Sequence, residues 1–338
     1  MLLPHNLPTL GKEEEDAAVR VLQSGWIAQG NEVKLFEKEF SDYFGISPEN
    51  VIAVSSGSAA LFLSLWVLES KGKTISYPSY VCSALRNAVN MIGGKEILID
   101  NFPNSPNVDI NILKQSIFDI HIIPHMYGIP TDLSELNSGK IVEDCCQALG
   151  AKVLNKSVGL QGDLGIFSFH ATKLITSGGQ GGMIISNNSE LIDKIRNFRD
   201  YGPQDDKIRF NFQLTDIQAA IGREQLKKLP SFILKREEIF NYYKNSGLKL
   251  LDIDSNKKNI LTPVRYRAIL RNNQPQQIIK KLKNIGIRST ILIDEQGLLA
   301  NNSDFKNSLE LSNQTVSLPI YPTLSKENVE KIVQCVLS

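Results

Sequence analysis

Chemistry-bearing residues gather in four short stretches of this chain, and the most telling reads GDLGIFSFHATKLITSGGQGGMIIS, residues 162–186. It runs apolar and strand-like into Ser168, sets Lys173 in a polar turn, passes four glycines and returns to a strand. Lysine is seldom buried without a purpose. An amine crowded by small residues at a strand-to-loop junction could be approached by an aldehyde, with Ser168 and the 177–182 loop offering donors to a phosphate. By itself the segment is at least as well read as a solvated loop lysine. The glycines lack the G-x-G-x-x-G spacing of a dinucleotide site.

The other three stretches carry different groups. In SSGSAALFL, Gly57 and Ser58 lie where a strand meets a helix N-terminus, whose open N–H groups and positive dipole end favour a phosphate; a plain turn with a serine cap accounts for it equally well. In VEDCCQALGA, Glu143 and Asp144 follow an apolar strand, so a carboxylate stands at the carboxyl edge of a sheet, where a buried acid needs a partner. It could hold a protonated ring nitrogen, with Gln147 in reach of the same ligand, or it could cap a helix. In RFNFQLTDIQAAIG, Asn211 sits between two phenylalanines just before a helix capped at Thr215, a site for a ligand amide or for a turn asparagine.

Such groups meet only if the elements bring them together, and the periodicities supply a scaffold. Segments 13–24 and 33–44 carry helical apolar stripes, VIAVSS is a short buried strand, and GSAALFLSLWVLES continues it as a helix. TISYPSY and KEILID read as strands flanking a helix over 83–91, and HIIPHMYG and KIVEDCCQALGA alternate strand and turn again. Continuous apolar strands alternating with helices predict an α/β fold with a mostly parallel sheet covered on both faces, whose ligands gather where strands end and helices begin. The second half changes character. A long helical region is expected to break at Pro230, ILTPVRYRAIL and GIRSTILI read as strands, and SKENVEKIVQCVL reads as a last helix opened by a capping box at Ser325. NNSDFKNSLELSNQ is Asn/Ser-rich and loop-like. The expected division is a large domain over 1–234 and a small α+β domain over 235–338.

Composition narrows the function. The 338 residues are 42% hydrophobic and 22% charged with net charge +1, an ordinary globular balance without the electrostatic footprint of a nucleic-acid or anionic-membrane binder. No run approaches the apolar length of a spanning helix. The start, with Pro4 and acidic residues from Glu13 to Asp16, reads as mature sequence rather than a secretory leader. Cys82, Cys145, Cys146 and Cys335 lack zinc-site spacing and fit reduced thiols in cytoplasm.

Phosphate cradle, strand-end aspartate, serine, lysine and asparagine in this order, together with LQSGWIAQGNEVKLFEKEF, YPSYVCSALRNAV, IPHMYGIPTDL and LPIYPTLSKENVEKI, resemble the DegT/DnrJ/EryC1/StrS sugar aminotransferases over nearly the whole chain. The resemblance implies the pyridoxal phosphate-dependent transferase fold of type I, with a shortened small domain, and transfer of an amino group from glutamate to a keto-sugar, nucleotide-linked, for surface polysaccharide or secondary metabolites. It implies that Lys173 joins the cofactor as a Schiff base and shuttles a proton, and that Asp144 pairs with the pyridinium nitrogen. Gln147 would lie near the cofactor's phenolic oxygen, and Gly57, Ser58 and Ser168 would bind its phosphate. Asn211 would reach the phosphate of a neighbouring subunit in a homodimer with shared sites.

The chain departs from that pattern at several points. Cys82 stands where an aromatic usually stacks on the cofactor, Gln213 where an arginine is usual, the glycine loop is one residue longer, and GIRSTILIDEQGLL replaces a His- and Tyr-containing stretch. These departures leave the cofactor site whole and bear on the substrate. A dehydratase of the same family would carry histidine in place of Lys173, and a sensor that has lost turnover is the reading from a different class.

Overall fold

The computed structural model describes residues 2–202, 208–300 and 303–338. Strands β1 (Val51–Val54), β2 (Thr74–Pro78), β3 (Lys95–Ile99), β4 (Ile120–Pro124) and β5 (Lys140–Asp144) come first. A hairpin of β6 (Lys152–Val153) and β7 (Lys156–Ser157) precedes β8 (Leu164–Ser168) and β9 (Gly182–Ile185). Apart from the hairpin they form one seven-stranded sheet in the order β1-β9-β8-β5-β4-β2-β3. All neighbours pair in parallel except β9, which runs antiparallel between β8 and β1.

Both faces of the sheet are covered, which is why its strands are apolar throughout. Ile52 and Val54 point into one core and Val51 and Ala53 into another, the two-residue period of a strand splitting its side chains between two layers. The first core lies under α3 (Gly57–Val67), α4 (Ala84–Ile92) and α6 (Ser189–Arg199). The second lies under α2 (Asn31–Phe44) and α7 (Asp216–Asn245), with α1 (Lys12–Ser24) packed on α7. The short α5 (Ile110–Lys114) flanks β3 and β4.

Beyond α7 come β10 (Leu261–Thr262), β11 (Ala268–Arg271), α8 (Pro275–Asn284), α9 (Lys306–Gln314), β12 (Thr315–Leu318) and α10 (Lys326–Leu337). β10 joins the β6–β7 hairpin, and β11 and β12 form an antiparallel pair. A third core gathers Phe240, Tyr243, Leu282, Val316 and Ile332.

Five expectations change. α7 runs unbroken through Pro230, because Leu226, Leu229 and Phe232 around it are buried against the second core and hold the helix despite one missing N–H. ILTPVRYRAIL is two strands parted by residues 263–267, where Val264 N bonds Gly128 O instead of a ladder partner. GIRSTILI forms only isolated bridges, Ile287 to Leu3 and Thr290 to Ser317. The Asn/Ser-rich segment, of which Asn301 and Asn302 lie outside the described residues, forms α9: the Asp100 carboxylate accepts from Asn307 and Ser308 N–H and so caps a helix that carries no cap of its own. Ser325 caps α10 by accepting from Asn328 N, without the reciprocal glutamate of a capping box.

Candidate active site

Gly57 opens α3. Its N-cap Ser56 accepts from Ala59 N through the hydroxyl and from Ala60 N through the carbonyl, which leaves the Gly57 and Ser58 N–H groups open at the positive end of the helix. A Cβ on Gly57 would lie 2.8 Å from Ser168 Cβ, 3.1 Å from its hydroxyl and 3.3 Å from Cys146 Sγ. Gly57, Ser168 and Cys146 therefore line one cradle that any larger residue at 57 would fill. Ser58 is exposed at its rim.

Asp144 ends β5 at the carboxyl edge of the sheet, and its Oδ1 accepts from Cys146 N at 3.0 Å. Cys146 feels both Asp144 and Lys173, and its thiol is held well above the ordinary range by burial first and Asp144 next. Gln147 accepts from Tyr127 N at 2.8 Å, and its Nε2 rests on Met126 Sδ at 3.7 Å. Tyr127 is buried with φ +60°, an uncommon backbone for a bulky residue. The following Gly128 has no room for a side chain, since a Cβ would lie 2.0 Å from Val264 O. The turn is thereby clamped onto 263–267 and brings that segment over the sheet.

Lys173 stands in a loop closed by Lys173 N to His170 O and Ser177 N to Phe169 O. Its ammonium lies 5.4 Å from the Tyr266 ring centroid. Burial alone would depress it, but Tyr266, Cys146 and Asp144 outweigh burial and hold it above the usual lysine value. Burial pushes the Tyr266 hydroxyl up, yet Lys173 and then Arg267 overcome this and bring it below the usual phenol range. Lysine and tyrosine thus hold each other toward their charged forms.

Cys82 is exposed on the same side, close enough for Cys146 to feel its charge. Asn211 is exposed, its Oδ1 accepting from Gln213 N. Phe212 O accepts from Ser55 N, so this segment runs beside the strand feeding the Ser56–Gly57 turn. The two phenylalanines part company: Phe212 packs within the chain on Phe62 and Phe198, and Phe210 is 57% exposed. In the 177–182 loop, Ser177 Oγ is spent on Gln218 O and Gly179 N on Thr176 Oγ1, so these two expected donors are taken.

Of the two strand-end acids, Glu143 is committed to structure. It accepts from Gly159, Gln161 and Gly162 N–H and from His125 Nε2, whose Nδ1 accepts from Thr131 N. His125, Glu143 and Cys145 lie within 4.8 Å of one another, and the Glu143 oxygens and His125 Nδ1 are spent on loop N–H groups. Sequence reading missed Tyr127, Tyr266 and Arg267. The signals were a Tyr-Gly pair after a strand end and two arginines around a tyrosine inside an otherwise apolar run.

A mostly parallel sheet with an acid at one strand end, a lysine after the neighbouring strand and an open helix start beside them is the arrangement of a pyridoxal phosphate-dependent transferase. The chain belongs to the DegT/DnrJ/EryC1/StrS aminotransferase family, whose model matches residues 8–337. It is 28% identical to the GDP-perosamine synthase of Escherichia coli O157:H7, over 99% of this chain and 97% of that protein. It is 30% identical to the dTDP-3-amino-3,6-dideoxy-alpha-D-galactopyranose transaminase of Aneurinibacillus thermoaerophilus, over 96% and 94%. Among solved structures, Helicobacter pylori PseC, an aminotransferase involved in the biosynthesis of pseudoaminic acid, superposes with a TM-score of 0.89 at 25% identity, covering 100% of this chain and 98% of that one. The chain is an aminotransferase with pyridoxal 5′-phosphate as cofactor. No helix of the described residues is long and apolar enough to cross a membrane.

Proposed function

We propose that this aminotransferase moves an amino group from glutamate to a nucleotide-linked keto-sugar, in the cytoplasm, for a surface polysaccharide or secondary metabolite. The observation that carries the reading is the convergence of Lys173, Asp144 and the Gly57–Ser168 cradle at one sheet edge. The named activities of the relatives, which make amino sugars on GDP and dTDP carriers, support the acceptor class. Residues 1–234 would form the cofactor domain and 235–338 the smaller one.

When bound, the cofactor supplies an electron sink for the bond-breaking at the amine-bearing carbon. Its phosphate would be held by the open N–H groups of Gly57 and Ser58 and by the Ser168 hydroxyl. Asp144 would keep a proton on the ring nitrogen, Cys82 would offer sulfur to the ring face, and Gln147 Nε2 would donate to the phenolic oxygen. Lys173 Nζ would take and return the proton at the donor's α-carbon, with Tyr266 setting its charge. Asn211 would complete the phosphate site of a second copy.

Purified holoenzyme should be yellow, lose that absorbance on mixing with L-glutamate, and regain it with a keto-sugar nucleotide. Lys173→Ala should abolish the borohydride-fixed cofactor linkage while the circular dichroism spectrum is kept. Cofactor still fixed to the Lys173→Ala protein would overturn the assignment.

A further inference from the structure

Arg267 occupies a position whose electrostatics are incomplete. Its side chain belongs to a residue only 8% exposed, just ahead of β11, and its guanidinium stacks 4.2 Å from the Tyr266 ring centroid. Nη2 donates to the Tyr266 hydroxyl at 2.9 Å, while Nε and Nη1 have no partner. Lys173 Nζ lies over the same ring, 5.4 Å from its centroid, and feels the Arg267 charge, so one ring links the guanidinium to the amine proposed as catalytic.

The surroundings deepen the imbalance. Arg236, fully buried in α7, spends Nη1 on the carbonyls of Tyr266 and Ile320 and leaves Nε unpartnered. Its acidity is raised, with a pKa of about 9, by burial and then by Arg267. His5, beside Ser317, is kept neutral with a pKa of about 3 by burial, Arg267 and Arg288. Among the described residues no carboxylate forms an ion pair with Arg236 or Arg267, and the acid that Lys173 feels is Asp144, already assigned to the cofactor ring. A buried guanidinium with open donors and cationic neighbours is costly unless an anion arrives to pair with it.

We infer that Arg267 binds the carboxylate of the amino-acid donor. The inference rests on the transamination reading and adds the residue that selects the donor. In any α-amino acid the carboxylate carbon is two bonds from the nitrogen that must reach the site of Lys173, so the carboxylate has to land beside that amine, where the open donors of Arg267 are. The keto-sugar's own anionic groups hang from the far end of its ring. Arg267 therefore acts in the donor half of the cycle and is idle in the acceptor half, and a planar guanidinium suits a carboxylate.

The test is the glutamate half-reaction of the holoenzyme, followed by loss of the yellow absorbance, in wild type, Arg267→Gln and Arg267→Lys. The glutamate concentration for half-maximal rate should rise about 10- to 100-fold in Arg267→Gln, the loss expected for a charged hydrogen bond, and less in Arg267→Lys. Reaction with n-butylamine, which has no carboxylate, reads what Arg267 does through Tyr266 and Lys173. Arg267→Gln should slow it by a much smaller factor than it weakens glutamate, while an equal loss on both amines overturns the carboxylate role. Inhibition of the acceptor half-reaction by inorganic diphosphate should be unchanged. Unaltered glutamate dependence in Arg267→Gln, or weakening confined to diphosphate, overturns the inference. Should the variants not fold, succinate is titrated against wild type: competition with glutamate supports a carboxylate site, and its absence at tens of millimolar overturns it. Wild-type holoenzyme inert to every α-amino acid overturns the transamination reading itself, a separate result from an unchanged variant.

Discussion

At the scale of single residues, Gly57 is constrained by space alone, since its φ lies outside the left-handed region and a Cβ would meet Ser168 at 2.8 Å. Gly57→Ala should weaken cofactor binding about tenfold or more, of the order of one charge-assisted hydrogen bond, with the fold kept. Cofactor titration after resolution checks this, and wild-type affinity in the variant would remove Gly57 from the cradle. Lys173, Asp144, Gln147, Gly57 and Ser168 were open to proposal from the sequence because each sits at a strand end or helix start that its own neighbours announce. Tyr266 and Arg267 were not, because their role depends on the Tyr127–Gly128 turn pulling 263–267 out of any ladder. Ser177 misled for the same reason in reverse: its acceptor, Gln218 O, lies on a helix 41 positions away.

Among the elements, the N-terminal segment behaves as a strap. Leu3 bridges to Ile287, His5 bonds Ser317 and Asn6 Nδ2 donates to Thr172 O, next to Lys173. Half-buried His5 is kept neutral, with a pKa of about 3 against about 6.5 in the unfolded chain. Between those values the unfolded chain carries one more proton. The His5 contribution therefore leaves stability intact above pH 6.5 and lowers it as pH falls toward 3, by up to about 1.4 kcal/mol per pH unit. Urea unfolding at pH 7 and pH 5 should show a smaller acid loss in His5→Gln than in wild type, and equal losses would place His5 outside the acid response. Helices and strands with their own periodicity were readable in advance, but those finished by distant groups were not. α9 depends on Asp100, and α2 is capped by Asp216, whose carboxylate accepts from Gly30, Glu32 and Val33 N–H from the start of another helix.

For the whole molecule, the exposed apolar residues Trp26, Ile27, Ile208 and Phe210 lie on segments meeting at the N-terminus of α7, where Asp216 N also bonds Ala28 O. Apolar surface of that kind marks an interface, and Asn211 stands beside it. A homodimer is expected whose cofactor affinity falls in Asn211→Ala and whose dissociation on dilution parallels cofactor loss. Sedimentation of a fully active, cofactor-saturated monomer would sink the shared site. The α/β class was legible because strand and helix periods alternate so regularly. The division proposed near 234 falls inside the 30-residue α7, which bonds Thr9 and Thr176 through Gln225 before that point and Ile320 through Arg236 after it. A helix of that length spans about 45 Å and works as a single girder. Its consequence is for engineering: neither half can be expressed alone, or exchanged for that of a relative, by cutting at the apparent seam, since each piece would carry a severed rod with its apolar stripe exposed. Chimeras of this enzyme have to carry α7 whole.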